Sequence, residues 1–280
     1  MKVILSRKGF DSGYGGYPSP ILPDGRLISL PIPSEDSVAY SALILEDGKS
    51  YFDLMKGLHP TIKYDGGWHR LTKQTKCHLD PDIYRDVKQR ENHWLPIFGQ
   101  INQAQTHLRN QGVKENDIFL FFGWFRKTRL NGDELLFDYQ APDLHVIFGY
   151  LQIGSVKKAD NCCEIPAWMR QHPHASGDRR KNFTNTIYVA RDKSSWNSDS
   201  PGSGVFRFQE ELVLTKQGCS RSKWQLPEFF RGVKISRHSV DSWKKEGYFK
   251  SVDIGQEFVI EENKKVEEWA IRLIEESHLQ

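Results

Sequence analysis

Residues 117–125, DIFLFFGWF, are an unbroken apolar and aromatic run. A strand made from such a run has no polar face to offer to water and must be covered on both sides. It therefore predicts a central strand, and the rest of the chain has to supply the covering layers. A second buried strand is expected over 144–153 (LHVIFGYLQI). Between the two lie the basic run Arg126-Lys127-Thr128-Arg129, the turn signal Asn131-Gly132-Asp133, and Leu135-Leu136-Phe137, which is placed to pair back. Buried strands joined by a turn suggest an antiparallel or mixed sheet rather than repeated βαβ units.

Other elements follow from local pattern. Residues 38–45 (VAYSALIL) read as a strand, and 50–58 as a short helix with Ser50 as its N-cap. Residues 59–82 are polar and read as a long loop, of the length usually reserved for functional or mobile segments. Residues 97–110 follow Pro96, repeat apolar side chains at Ile97, Ile101, Ala104 and Leu108, and stop before Gly112, which predicts a helix. A strand is expected over 186–190, a flexible loop over 194–204, and further strand within 205–215. Near the end, Val266, Trp269, Ala270, Leu273 and Ile274 fall on one face of a helix, so this helix should dock through that stripe. No internal repeat or dividing linker is visible. The expectation is a single α+β domain over 1–280, with a mixed or largely antiparallel sheet, several helices and a docked C-terminal amphipathic helix.

The first thirty residues combine strand and loop signals with site-like chemistry. Val3-Ile4-Leu5 and 27–33 (LISLPIP) read as strands, and the loop between them holds two cations, a carboxylate, hydroxyls, glycines and tyrosines. Glycines let backbone N–H groups approach an anion, Arg7 and Lys8 suit a phosphate, and tyrosines suit stacking. Ser6, Arg7, Lys8, Gly13, Tyr14, Gly15 and Ser19 are thus candidate ligand contacts, with Asp11 or Ser12 positioned for catalysis. The spacing is neither GxGxxG nor GxxxxGK[ST]. Pro18 and Pro20 argue against a helix starting there, so no helix dipole is claimed. The competing reading is a glycine-rich β-connection with surface charges.

Cations interleave with aromatics at 124–127, 179–183, 191–196 and 221–224. That pairing suits phosphate contact plus base stacking and adds Arg126, Arg221 and Trp224 to the candidate ligand residues. The formal net charge is only +3, which excludes a strongly basic nucleic-acid coat but leaves room for a local patch at 170–181 or 216–250.

His78-x-Asp80-x-Asp82 places three candidate ligands on alternate positions, where an extended chain would turn them to one side. One imidazole and two carboxylates would suit Mg²⁺, Mn²⁺ or Fe²⁺ as a divalent metal cofactor. The plainer reading, favoured by the preference of Asp for helix caps, is that Asp80 or Asp82 caps a helix over 83–87. The two histidines of His172-Pro173-His174 could share a metal or act as acid and base near neutral pH, but nothing beside them in sequence completes a ligand set, and a polar loop is the plainer reading. The four cysteines include no CxxC, so reduced structural thiols are expected rather than a zinc ribbon or a nucleophile.

A mean hydropathy of −0.60 and 27% charged residues fit a soluble protein. No apolar run approaches the ~20 residues needed to span a bilayer, and the N-terminal apolar stretch is too short for a signal peptide. A cytoplasmic location without membrane partners is the default expectation. Sequence pattern leaves the oligomeric state open.

The run SRKGFDSGYGGYPSPILPDG, followed by LISLPIP, resembles the start of a bacterial and phage family, nucleotide modification associated domain 3. The likeness extends through HLDPDIY, residues 112–124 and residues 221–230. The middle strands also resemble, in pattern, the small β-barrels of the PUA-like group. The family resemblance implies a link to DNA-base or nucleotide modification systems, often near defence or restriction functions, without an established reaction. It makes an enzyme acting on a nucleotide or DNA base the leading expectation. The alternatives are a non-catalytic reader of modified nucleic acid, stacking bases on Trp124, Trp224 and the opening tyrosines, or a nucleotide sensor.

Overall fold

Strand Ile118–Asn131 runs through the middle of a nine-stranded sheet. Phe119, Phe121, Phe122 and Phe125 on it are fully buried, as a run with no polar face requires. The main path of the sheet is Glu257–Ile260, Val3–Arg7, Ile118–Asn131, Leu144–Lys158, Thr186–Ala190 and Ile97–Gln100. Val3–Arg7 lies parallel to the central strand, from Val3 opposite Ile118 to Arg7 opposite Phe122. The remaining neighbours along this path are antiparallel. Ser19–Ile21 continues the parallel pairing further along the central strand, and Glu134–Phe137 folds back on its end as a hairpin. With three α-helices among the described residues, the fold is α+β with a mixed sheet, as expected. Residues 1–253 and 255–278 are described by this computed structural model.

The sheet rolls up. Phe98, on the last strand of the path, packs 4.9 and 5.3 Å (ring centroids) from Phe119 and Phe121 on the central strand. Gln100 donates to Glu257 on the strand at the opposite end, at 2.8 Å. Register shifts at Ile147/Gly149 and Ile153/Ser155 let Leu144–Lys158 bend between its two partners. Helix α2 (Asn102–Asn110) packs beside Glu257–Ile260, where the ends of the sheet approach.

Several expectations are corrected. Residues 97–110 are not one helix: Ile97–Gln100 is a strand and only Asn102–Asn110 is helical. Thr186–Ala190 offers a ladder to Ile97–Gln100, and Phe98 has the aromatic interior to enter, so tertiary pairing overrides helical spacing. Segment 59–82 is not structureless, since Thr61–Tyr64 and Gly67–Arg70 form a hairpin through Asp65 and Gly66, at φ 47° and 77°. Asp-Gly suits this two-residue turn because both positions need positive φ. The strand expected over 38–45 lies earlier, at Pro33–Ala39. The strand Ser203–Val205 overlaps the expected flexible loop, and 205–215 contains a 3₁₀ turn at Glu210–Leu212. No helix caps at Asp80 or Asp82, because only a 3₁₀ turn, Arg85–Val87, forms there.

Helix α1 (Tyr51–Leu58) starts as expected, with the Ser50 hydroxyl accepting the Asp53 N–H at 3.1 Å. Helix α3 (Lys264–His278) docks through its predicted stripe, and the Trp269 ring meets the Phe230 ring edge-on at 5.2 Å. Among the described residues, no helix is long and apolar enough to cross a membrane.

Candidate functional site

Alternation along Val3–Arg7 sends consecutive side chains to opposite faces, so Arg7 and Lys8 part company. Lys8 goes inward. Its ammonium sits 2.8 Å from the Glu257 carboxylate and 4.4 Å from the centroid of the Phe98 ring. Arg7 takes the other face, donating to the carbonyls of Val252 and Gly255 at 3.0 and 2.7 Å. There it lines a cleft of about 350 Å³ together with Asp11, Trp124, His145, Arg221 and Asp253.

This cleft has a definite polarity. The Arg221 guanidinium stacks on Trp124, 4.1 Å from the ring centroid. Two donors in the wall, Trp124 Nε1–H and Arg7 Nε–H, are hidden from solvent and have no acceptor among the described residues. His145 Nδ1 accepts the Trp224 Nε1–H at 3.0 Å, which assigns its ring proton to Nε2. Burial, followed by the nearby charges of Arg7, Arg221 and Lys250, holds the His145 pKa well below its ordinary value, so the ring is neutral. Burial also lowers the Arg7 pKa, opposed by Asp253 and Asp11. At the mouth, Asp11 Oδ1 accepts the N–H groups of Gly13 and Tyr14, each at 2.7 Å.

The glycine loop is a built turn rather than an open anion cradle. The N–H groups of Gly13 and Tyr14 go to Asp11, that of Gly15 to the Lys63 carbonyl and that of Gly16 to the Asp11 carbonyl. No backbone donor in 13–16 is left for a phosphate, which corrects that expectation. Gly15 sits at φ +88° against the Phe10 ring, where an added Cβ would fall 2.0 Å from a ring carbon. Ser12 and Tyr14 are exposed, and Tyr17 is core, stacked 4.8 Å from His59. Ser19 uses its hydroxyl to accept the Leu30 N–H, and Ser6 is buried within the sheet. Arg126 pairs with Asp143 at 2.9 Å. Trp224 is fully buried against Phe122 and His145, so no base can stack on it as the chain stands. Arg7, Asp11 and Arg221 are therefore the candidates that the fold gathers in the cleft. Lys8, Ser6, Ser19 and Trp224 lie within the packed body. Sequence reading passed over His145 and Asp253, since neither sits in a motif.

The His78-x-Asp80-x-Asp82 group is split. Asp82 turns away to receive Arg90 in a two-pronged pair, at 2.6 and 2.7 Å. His174 takes its place. One ligating atom from each of His78, Asp80 and His174 lies within 4.8 Å of the other two. Gly99 makes this possible, because a Cβ there would lie 2.3 Å from the His174 ring. His172 and His174 are thus buried rather than part of a polar loop. Burial brings the His174 pKa down to about 3. No sequence spacing connects residues 78–80 with 174, which is why the group was not legible.

The family model of nucleotide modification associated domain 3 matches residues 2–261, and the chain belongs to this family. No curated protein and no solved structure matches it.

Proposed function

Taking that family membership as a premise, we propose that the chain is an enzyme of a nucleotide-modification system, acting on a nucleotide or on a single base presented by nucleic acid. The observation that carries the reading is the pair of hidden, partnerless donors, Trp124 Nε1–H and Arg7 Nε–H, in a cleft beside the Arg221 guanidinium. Buried donors without an acceptor are rare, and an oxygen-bearing ligand supplies what they lack. A volume of about 350 Å³ lies at the small end of ligand cavities and suits one nucleotide. The carboxylates of Asp11, Asp143 and Asp253 line the same space, which favours a ligand with both a phosphate and donor groups over a bare anion. In this reading Arg7 and Arg221 hold phosphate, the neutral His145 donates from Nε2, and Asp11 takes or positions a proton at the mouth. The four free cysteines suit a reducing compartment, the cytoplasm.

The test is binding by calorimetry of nucleoside monophosphates and short single-stranded DNA to the wild type and to Asp11→Asn, followed by mass spectrometry of the recovered ligand. The enzyme reading expects a mass change with the wild type and binding without conversion by Asp11→Asn. Binding of DNA that weakens with salt, with nothing converted, would instead establish a reader. Tight mononucleotide binding without turnover would establish a sensor.

A further inference from the structure

We propose that His78, Asp80 and His174 form a binding site for a divalent first-row transition metal, separate from the cleft. The argument rests on which atoms carry protons. Asn185 donates its amide N–H groups to the carbonyls of Ala159 and His174, at 2.9 and 2.8 Å. Its Oδ1 can then only accept, and it lies 2.7 Å from His174 Nδ1. The His174 proton is therefore on Nδ1 and the lone pair on Nε2. Asp36 fixes His78 the same way. Its carboxylate is paired with Arg179 and accepts from His78 Nδ1 at 2.8 Å, so Nε2 is the nitrogen of that ring left to offer a lone pair to a metal.

Asp80 completes the pattern. Its Oδ1 accepts from the Gly99 N–H at 2.8 Å and from His172 Nε2 at 3.2 Å. His172 is in turn set as a donor there, because its Nδ1 accepts the His174 backbone N–H at 3.2 Å. Asp80 Oδ2 faces His78 Nε2 at 3.8 Å and His174 Nε2 at 3.9 Å. Three acceptor atoms thus converge with no proton assigned between them, each held from behind by its own partner. Lone pairs facing one another repel, and a cation at their centre reverses the sign.

Two imidazoles and one carboxylate are the donor set of Zn²⁺, Fe²⁺ and Mn²⁺ sites that keep open positions for water or substrate. The observed spacing is wider than the edge of about 3.4 Å expected for a tetrahedral site with bonds of about 2.1 Å. Closing on an ion requires about half an ångström of movement. The carboxylate behind His78 and the amide behind His174 are the orienting partners that metal-bound histidines use. His78 keeps 14% of its side chain exposed, which gives the ion a way in.

The test uses full-length protein stripped with a chelator and titrated with Co²⁺, followed by visible d–d absorption and by competition with Zn²⁺. The expected result is one Co²⁺ per chain with a tetrahedral or five-coordinate spectrum. His78→Gln should weaken binding at least 100-fold and Asp36→Asn by about 10–100-fold. Asp82→Asn should leave affinity unchanged. Circular dichroism checks that each variant is folded. If His78→Gln does not fold, the wild-type stoichiometry and Asp36→Asn still decide. Absence of Co²⁺ and Zn²⁺ binding by the wild type overturns the proposal and assigns the cluster to a proton shared among structural side chains. Equal affinity in His78→Gln and wild type overturns it as well.

Discussion

The guanidinium of Arg221 lies 4.1 Å from the centroid of the Trp124 ring, joining the central strand to a loop nearly a hundred residues away. The contact fixes a cation at the edge of the cleft and covers one face of the indole. Arg221→Ala should weaken binding of a nucleoside monophosphate by about 10–100-fold, the loss of one charge-assisted phosphate contact. It should also make affinity less sensitive to salt. Calorimetry at two ionic strengths checks both, while the thermal midpoint should move little because Arg221 is partly exposed.

Lys8 and Glu257 form an ion pair with side-chain exposures of 8% and 0%, between the end of Val3–Arg7 and its neighbouring strand Glu257–Ile260. Lys8→Met strands a carboxylate in the interior and should cost about 3–5 kcal/mol in chemical denaturation. Lys8→Met combined with Glu257→Gln removes both charges and should recover most of that loss. If the double variant is no more stable than the single one, Lys8 acts through something other than this pair.

His145 titrates in a direction that makes acid destabilising. Its pKa in the folded chain is well below the ordinary value, about 6.5, kept by the unfolded chain. Between the two pKa values the unfolded state binds the extra proton, so stability falls as pH drops below about 6.5, by up to about 1.4 kcal/mol per pH unit for one group. Other depressed histidines, His107, His174 and His238, add to the wild-type slope, so the difference between variants is the informative quantity. His145→Gln retains an acceptor for Trp224 and should flatten the slope between pH 6.5 and 5 by close to one proton, measured by urea denaturation across that range.

Gly15 and Gly48 both sit at positive φ, at +88° and +81°, but differ in surroundings. Gly48→Ala meets nothing within 4 Å and should cost only the backbone strain of about 1–2 kcal/mol. Gly15→Ala adds a collision with the Phe10 ring and should cost a further 1–3 kcal/mol, roughly, in thermal or chemical unfolding. Equal losses at the two sites would mean that the Phe10 ring yields freely.

Much of the architecture was legible because it follows from local pattern. The 117–125 run had to be central, the stripe on 264–278 had to dock, and Ser50 had to cap the helix after it. The Asp65-Gly66 hairpin was also present as a turn signal inside a segment taken for a loop. Residues 97–110 were misread because the apolar spacing of a strand followed by a helix imitates that of one helix. Only the ladder with Thr186–Ala190 distinguishes the two.

The sequence by itself determined where apolar runs must be buried and which helix docks, and it offered Arg7, Asp11 and Arg221 as candidate ligand residues. Tertiary structure alone decided which of them meet. Strand alternation separated Arg7 from Lys8, and loop hydrogen bonds consumed the glycine N–H groups. A glycine without Cβ let His174 approach Asp80 while Arg90 drew Asp82 away. The reason is physical: burial follows from each segment's own polarity, whereas a site depends on distances between residues far apart in the chain, set only when the whole sheet closes.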